Sequence, residues 1–302
     1  MSDQRLYEVK SATIAFLGET WERNYNRNRP DIARTPGVAG LFGRFSGLPA
    51  VLVGAGPSLD RNLRLLHLAK GKALIISCDA ALKILLENGI TPDIIVNLDP
   101  QIFIANFFEG IDTRNMTLVA PTIVHPSIRE SWKGTFFYYN KHAPDIPILS
   151  RIAQECPQVG MLVPGGSVLS VAFDLAFKSG ADPIAFIGQD LGYTSEKAYA
   201  AGGCFDGYTA QEVFDLPGDN IVEAHDIFGR SLKTQKSMAV TKQWFAWAFS
   251  TWDKGKERRI YNCSEAGILT DCGIITFGEF VSRHCTKSVN ISWTIKKTSK
   301  AR

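Results

Sequence analysis

The chain has 302 residues, is 45% hydrophobic and carries a formal charge of +3. That is enough apolar material for one large or two ordinary domains, and so balanced a charge, with no Lys/Arg block, argues against nucleic acid as a partner. Six cysteines form no C-x-x-C and no His pair has zinc spacing; the N-terminus is polar and no run reaches the roughly 18 apolar residues of a membrane span, so a reduced, cytoplasmic protein without a membrane segment is expected.

In chain order, residues 1–47 read as an N-terminal extension that packs on the main domain or on a partner. It is helical over 12–22, rich in Asn and Arg over 23–34 and loop-like over 35–42. A strand–helix rhythm begins at 48. Strands are expected at 50–53, 73–77, 94–98, 117–121, 134–139, 160–163, 183–187 and 259–261. Helices are expected at 59–69, 80–88, 102–108, 147–155, 167–179, 234–252 and 276–283. The strands are continuous apolar runs rather than alternating ones, the pattern of a parallel sheet covered on both faces. The fold class is therefore α/β: a doubly wound, mostly parallel, Rossmann-like sheet with a helical N-terminal extension. Residues 192–233 break the rhythm with Gly, Tyr and acidic groups, as a lid or binding loop does. Trp244, Phe245, Trp247, Phe249 and Trp252 on the following helix read as core or interface. Cys78 reads as a buried free thiol. Lys296, Lys297, Lys300 and Arg302 mark a basic, frayed tail over 287–302.

In an open parallel sheet, ligands bind outside the carboxyl ends of the strands. After the first strand comes GAGPS at 54–58, a glycine turn that opens a helix and so resembles a phosphate site. Cys78-Asp79 follows the second strand and Asp99-Pro100 the third. PGGS at 164–167 opens the long helix, with Gly165, Gly166 and Ser167 as a second anion cradle or Ser167 as a simple cap. Gly188-Gln189-Asp190 follows the strand near 185, and Asn262 the last. Three carboxylates and two glycine turns thus converge on one rim. Gly54-x-Gly56 with Asp79 some twenty residues on is close to a dinucleotide fingerprint, but Leu59 stands where its third glycine would be. No P-loop, G-x-S-x-G or H-E-x-x-H is present. These residues describe a nucleotide- or phosphate-binding α/β enzyme with a long loop over its site.

Four motifs in order carry a family resemblance: PAVLVGAGPSLD at 49–60, GITPDIIVNLDPQ at 89–101, GGSV at 165–168 and FIGQDLGYT at 186–194. Together they resemble the MptE-like domain of motility-associated factor (Maf) proteins, flagellin glycosyltransferases that attach nonulosonic acids. The likeness covers most of residues 20–285, and implies a nucleotide-binding α/β domain at 48–286. The same domain is similar to the archaeal 6-hydroxymethyl-7,8-dihydropterin diphosphokinase MptE, which transfers diphosphate from ATP with a divalent metal. Its glycine turn also resembles that of sialyltransferases using CMP-sialic acid. The resemblance implies that Gly54, Gly56, Pro57 and Ser58 cradle the nucleotide phosphate, that Asp79 and Asp99 contact ribose or base, and that Gly166 and Ser167 face the donor. Gln189, Asp190 and Tyr193 would border the acceptor. The sialyltransferases carry Asn where Asp79 and Asp99 stand, and their catalytic His would fall near Thr234.

Three functions follow as expectations. The first is a glycosyltransferase whose donor is a CMP-activated nonulosonic acid and whose acceptor is a flagellin-like protein; His225, the one His of the long loop, or Asp190 would be the base. The second is a diphosphokinase in which Asp99 and Asp190 hold Mg²⁺. The third is a non-catalytic module that binds a nucleotide or a partner. No cofactor is firm, and Mg²⁺ enters only with the second.

Overall fold

The computed structural model describes residues 3–215, 221–252 and 258–300. Helix α1 (Asp3–Ile32) leads into an alternation of strands and α-helices broken between β3 and β4: β1 (Ala50–Val53), α2 (Leu59–Ala69), β2 (Leu74–Cys78), α3 (Leu82–Glu87), β3 (Ile94–Val96), β4 (Thr117–Pro121), α4 (Pro126–Ser131), β5 (Thr135–Lys141), α5 (Pro147–Glu155), β6 (Met161–Leu162), α6 (Val168–Lys178) and β7 (Ile184–Ile187). Next come α7 (Ala210–Phe214), β8 (Ile221–His225), β9 (Ser231–Gln235) and α8 (Lys236–Trp252). The last elements are β10 (Ile260–Asn262), β11 (Gly273–Ile274), α9 (Phe277–His284) and α10 (Ile291–Lys300).

Among the described residues, nine strands form one sheet in the order β11-β10-β7-β1-β2-β3-β4-β5-β6, and every neighbouring pair is parallel. The chain steps outward from β1 to β6, then returns to the other side of β1 with β7. That reversal opens a crevice at the carboxyl ends of β1 and β7, the place where such sheets take ligands. The two faces bury separate cores. Val119, Phe137 and Tyr139 enter one, while Leu118, Ala120, Phe136 and Tyr138 enter the other. This alternation within wholly apolar strands is the signature of a sheet covered on both sides.

The N-terminal segment packs against the main domain, and its asparagines explain how. Asn24 and Asn28 lie four residues apart on one face of α1. The Asn24 amide donates to Pro100 O (2.9 Å) and Ile123 O (3.0 Å), and that of Asn28 to Thr122 O (3.1 Å) and Val124 O (2.8 Å). Buried carbonyls in the loops after β3 and β4 thereby gain partners that a bare loop would lack. Trp21 and Tyr25 fill the adjoining core.

Three expectations change in detail. The stretch at 102–108 forms a 3₁₀ turn, Ile102–Phe107, rather than an α-helix. The lid holds regular structure: α7 begins with a Thr209/Glu212 capping box and β8 and β9 pair as an antiparallel hairpin, while 216–220 lie outside the described residues. The tail expected to fray is helix α10, which buries Ile291, Ile295 and Thr298 on one face and exposes Lys296, Lys297 and Lys300; Arg302 lies outside the described residues. The aromatics of α8 do pack inward: Phe245 meets Phe186 edge-on at 5.3 Å and Trp252 stacks on Phe173 at 5.7 Å, though Trp247 stays 49% exposed. Among the described residues no helix is long and apolar enough to cross a membrane.

Candidate functional site

The loops leaving β1 and β7 grip each other before they meet any ligand. The Gly54 N–H donates to Ile187 O and the Gly56 N–H to Gly188 O, both at 2.9 Å. A Cβ on Gly54 would collide with the Gly188 carbonyl, and one on Gly56 would stand 2.7 Å from Gly188 O and 2.8 Å from Asp190 Oδ1. Both glycines are therefore required by the approach of two backbones. Gly188 itself sits at φ +63°, a left-handed conformation that suits glycine.

Asp190 closes this junction. It is 3% exposed, and both oxygens are occupied: Ser58 Oγ donates to Oδ1, while the Ser58 N–H (3.1 Å) and Thr194 Oγ1 (2.7 Å) donate to Oδ2. Burial raises its pKa, and the hydrogen bonds from Ser58 and Thr194 oppose the rise. The carboxylate thus pins the start of α2 to the β7 loop, where the helix dipole also favours it.

Beside the junction lies a cavity of about 340 Å³. It gathers much of the predicted set: Gly54, Gly56, Pro57, Asp79, Gly166, Ser167, Gln189 and Asp190 all line it. Ser58 and Gly165 stand behind the wall. Gly165 has no room for a Cβ because Trp244 lies against it, and its N–H donates to Ser170 Oγ at 2.6 Å. Gly166, at φ +96°, brings the backbone close to Thr241. Ser167 occupies the cap position of α6 yet makes no side-chain capping bond, and its hydroxyl is buried without a partner among the described residues. The Gln189 side-chain nitrogen is likewise unpartnered on a residue 6% exposed. Two orphaned polar groups and a helix N-terminus therefore share one cavity, as an anion site requires.

Asp79 enters the same cavity from the end of β2. It is 3% exposed and accepts from Ala80 N and Asn97 Nδ2, both at 2.9 Å. Burial raises its pKa to about 6, with the nearby Asp99 charge adding to the rise and the hydrogen bonds opposing it. Asp99 lies outside the cavity lining and accepts from the Gln101 N–H at 2.9 Å.

The remaining predicted residues stand apart. Tyr193 lines a neighbouring cavity with Phe214 and Lys233. His225 is exposed on β8, opposite Ser231. Gln235, at the other end of the hairpin, does reach the main cavity; four residues of strand, roughly 13 Å, separate the two ends. The cavity roof is what sequence reasoning missed: Tyr199 from the lid, and Gln235, Ser237, Met238 and Thr241 around the start of α8. The aromatic run of α8 drew attention to its buried end, whereas its first turns do the roofing.

As a Mg²⁺ site the expected pair does not fit. Asp190 has its oxygens filled by protein donors, Asp99 lies outside the wall, and no group of three or more His, Cys, Asp or Glu is placed to hold a metal among the described residues.

A parallel sheet reversing at β1, with glycine turns, a helix N-terminus and a buried acid around one crevice, defines a doubly wound α/β domain with a candidate ligand site at its switch point. The chain belongs to the 6-hydroxymethylpterin diphosphokinase MptE-like family, whose model matches residues 23–196. Its fold is that of a Maf glycosyltransferase from Magnetospirillum magneticum AMB-1, with a TM-score of 0.62 and 20% identity over 87% of this chain and 40% of that one. Two uncharacterised proteins of Treponema pallidum (strain Nichols) are also similar. One is 25% identical across 63% of this chain and 33% of its own length; the other is 33% identical across 33% of this chain and 51% of its own length. The chain thus spans between a third and about half of the curated relatives it matches.

Proposed function

We propose that the chain is a nucleotide-dependent transferase, and specifically a glycosyltransferase whose donor is a CMP-activated nonulosonic acid. One observation carries the choice of donor. Among the described residues the cavity wall holds two carboxylates, Asp79 and Asp190, and no Lys, Arg or His. A nucleoside triphosphate would set a full polyphosphate chain against those acids with no side-chain cation to balance it. A CMP-nonulosonic acid brings one phosphodiester and the sugar's own carboxylate, fewer charges than a triphosphate, and the phosphodiester suits a helix N-terminus equivalent to roughly half a positive charge.

In this reading the start of α6 and the Ser167 hydroxyl receive the phosphate and stabilise it as an acceptor hydroxyl attacks the sugar: the bond from sugar carbon to phosphate oxygen breaks, CMP leaves, and the hydroxyl proton passes to the departing phosphate. The Gln189 amide donates to the sugar. Asp79 accepts from a ribose hydroxyl or from the exocyclic amine of the base. Asp190 is a positioning residue that holds the glycine turn. The lid and the first turns of α8 exclude water. The acceptor side lies toward Tyr193, and a flagellin-like protein is the acceptor that the Maf likeness favours.

The family description also favours a diphosphokinase, and nucleotide choice separates the two. Melting temperature is followed with CMP, CTP, ATP, GTP and UDP, with and without Mg²⁺. A ligand at a hundred times its Kd adds about 2.7 kcal/mol, a shift of several degrees. Metal-independent stabilisation by cytidine nucleotides is expected. Stabilisation by ATP only in the presence of Mg²⁺ would overturn the glycosyltransferase reading in favour of the kinase.

A further inference from the structure

The opposite edge of the sheet holds a second cavity, of about 420 Å³. It lies below the amino ends of β1, β2, β7 and β10, against the end of α9. Four residues of β1, roughly 13 Å of strand, separate the two edges. Its charge is one-sided: Arg44, Lys72, Arg259, Arg283 and Lys287 face a single acid, Asp182. That acid is already engaged, by the Arg259 N–H at 2.9 Å and guanidinium at 2.8 Å, and Arg283 pairs with Glu279. Lys72 and Lys287 have no carboxylate partner among the described residues.

His284 adds an independent sign. Its ring lines the cavity and stacks on Tyr261 at 5.8 Å, yet its Nε2 is buried without a hydrogen-bond partner among the described residues. Burial, then Arg259 and Arg283, push its pKa down, so the ring is neutral near pH 7 and Nε2 is free to carry the proton as a donor. The buried, unsatisfied ring nitrogen costs energy until a ligand accepts from it, and the solvent-reaching ammonium groups beside it draw an anion to the same place. Guanidinium and ammonium together match phosphoryl oxygens. The volume falls in the range of small-molecule sites, about 300–1,000 Å³, and exceeds what one phosphate needs.

We propose that this cavity binds a small phosphate-bearing anion, a diphosphate or a phosphate ester, at a site separate from the crevice above β1 and β7. Such a ligand would bridge the loop entering β1 to the end of α9. The proposal does not depend on which donor the crevice takes.

The test is a titration with inorganic pyrophosphate at constant ionic strength, followed by amide ¹H–¹⁵N shifts of the intact chain. Gly47, Lys72 and Val289 are expected to move while Gly166 and Gln189 stay still. The double variant Lys72→Glu/Lys287→Glu should weaken binding about tenfold or more, and Lys72→Met/Lys287→Met by less. Both side chains reach solvent, so an unchanged spectrum outside the cavity checks the fold. Orthophosphate is the second arm: weaker binding than pyrophosphate assigns a diphosphate, and equal binding assigns a phosphate ester. Absence of any shift, shifts confined to Gly166 and Gln189, or unaltered affinity in the Glu double variant would each overturn the site.

Discussion

Two glycine turns sit on one crevice and serve different ends. In the turn at 54–58, the Gly54, Gly56 and Ser58 N–H groups are taken by Ile187 O, Gly188 O and Asp190. Pro57 has no N–H to offer. The turn at 165–167 is also tight, against Trp244 and Thr241, yet it leaves the Ser167 hydroxyl unpartnered at the start of α6. The first turn is a clasp between two strands of the sheet, and the second is the turn proposed to receive the donor phosphate. A glycine-rich turn after a strand marks a close approach of backbone, and the approaching group can be the protein itself as readily as a phosphate.

Breaking the clasp should have the largest effect. Gly56→Val places a branched side chain against Gly188 O and Asp190, so the expected loss is about 3 kcal/mol or more of folding stability, read by urea denaturation. A variant as stable as the parent would show that the clasp is not needed.

Asp79→Asn should sharpen the contrast between stability and function. Burial raises the folded pKa of Asp79 from 3.8 to about 6. A raised carboxyl pKa contributes stability below about pH 4, and that contribution is lost as pH rises through about 6. Two units correspond to about 3 kcal/mol at most. The variant should therefore be more stable than the parent at pH 7.5, by about 2 kcal/mol, with the gain shrinking toward pH 4. The unpartnered Asn97 Oδ1 can take the new amide after a flip. Nucleotide affinity should fall at the same time. A pH-independent difference in stability would rule out the buried charge as its cause.

At the receptor turn the effects are smaller and split differently. Ser167→Ala should leave stability within about 0.5 kcal/mol, because the hydroxyl has no partner to lose, yet weaken the donor nucleotide by about 1 kcal/mol, near fivefold. Equal affinity, measured by calorimetry, would move the phosphate elsewhere. The smallest effect belongs to His225→Ala. Exposed on β8 and outside the cavity lining, it should change neither stability nor the pH profile of transfer, and a large fall in kcat would return it to the site.

Much of this arrangement was legible in the residues. Apolar runs such as AVLV at 50–53 and IAFI at 184–187 form β1 and β7, because a strand covered on both faces has no polar alternation to hide it. The rim positions followed from the strands, since a parallel sheet puts all its carboxyl ends on one side. The N-terminal asparagines were visible, but their carbonyl partners lie 76 to 99 residues away in sequence, so their role was not. Helix α10 was obscured by its lysines, whose charge concealed the spacing of Ile291, Ile295 and Thr298.

The sequence by itself determined the class of sheet, the strands that build its rim and the glycines that let backbones come close. Those properties are local: they depend on apolar runs, turns and caps that a few neighbouring residues set. Only the tertiary structure decided which groups the glycines admit, that Asp190 holds Ser58 while Asp79 stands in the cavity, and that His225 lies at the far end of its hairpin. The placement of Asp190 depends on β7 lying beside β1, a contact between residues more than a hundred positions apart, whereas Asp79 is set by burial at the end of β2 and by Asn97, and His225 by the pairing of its hairpin.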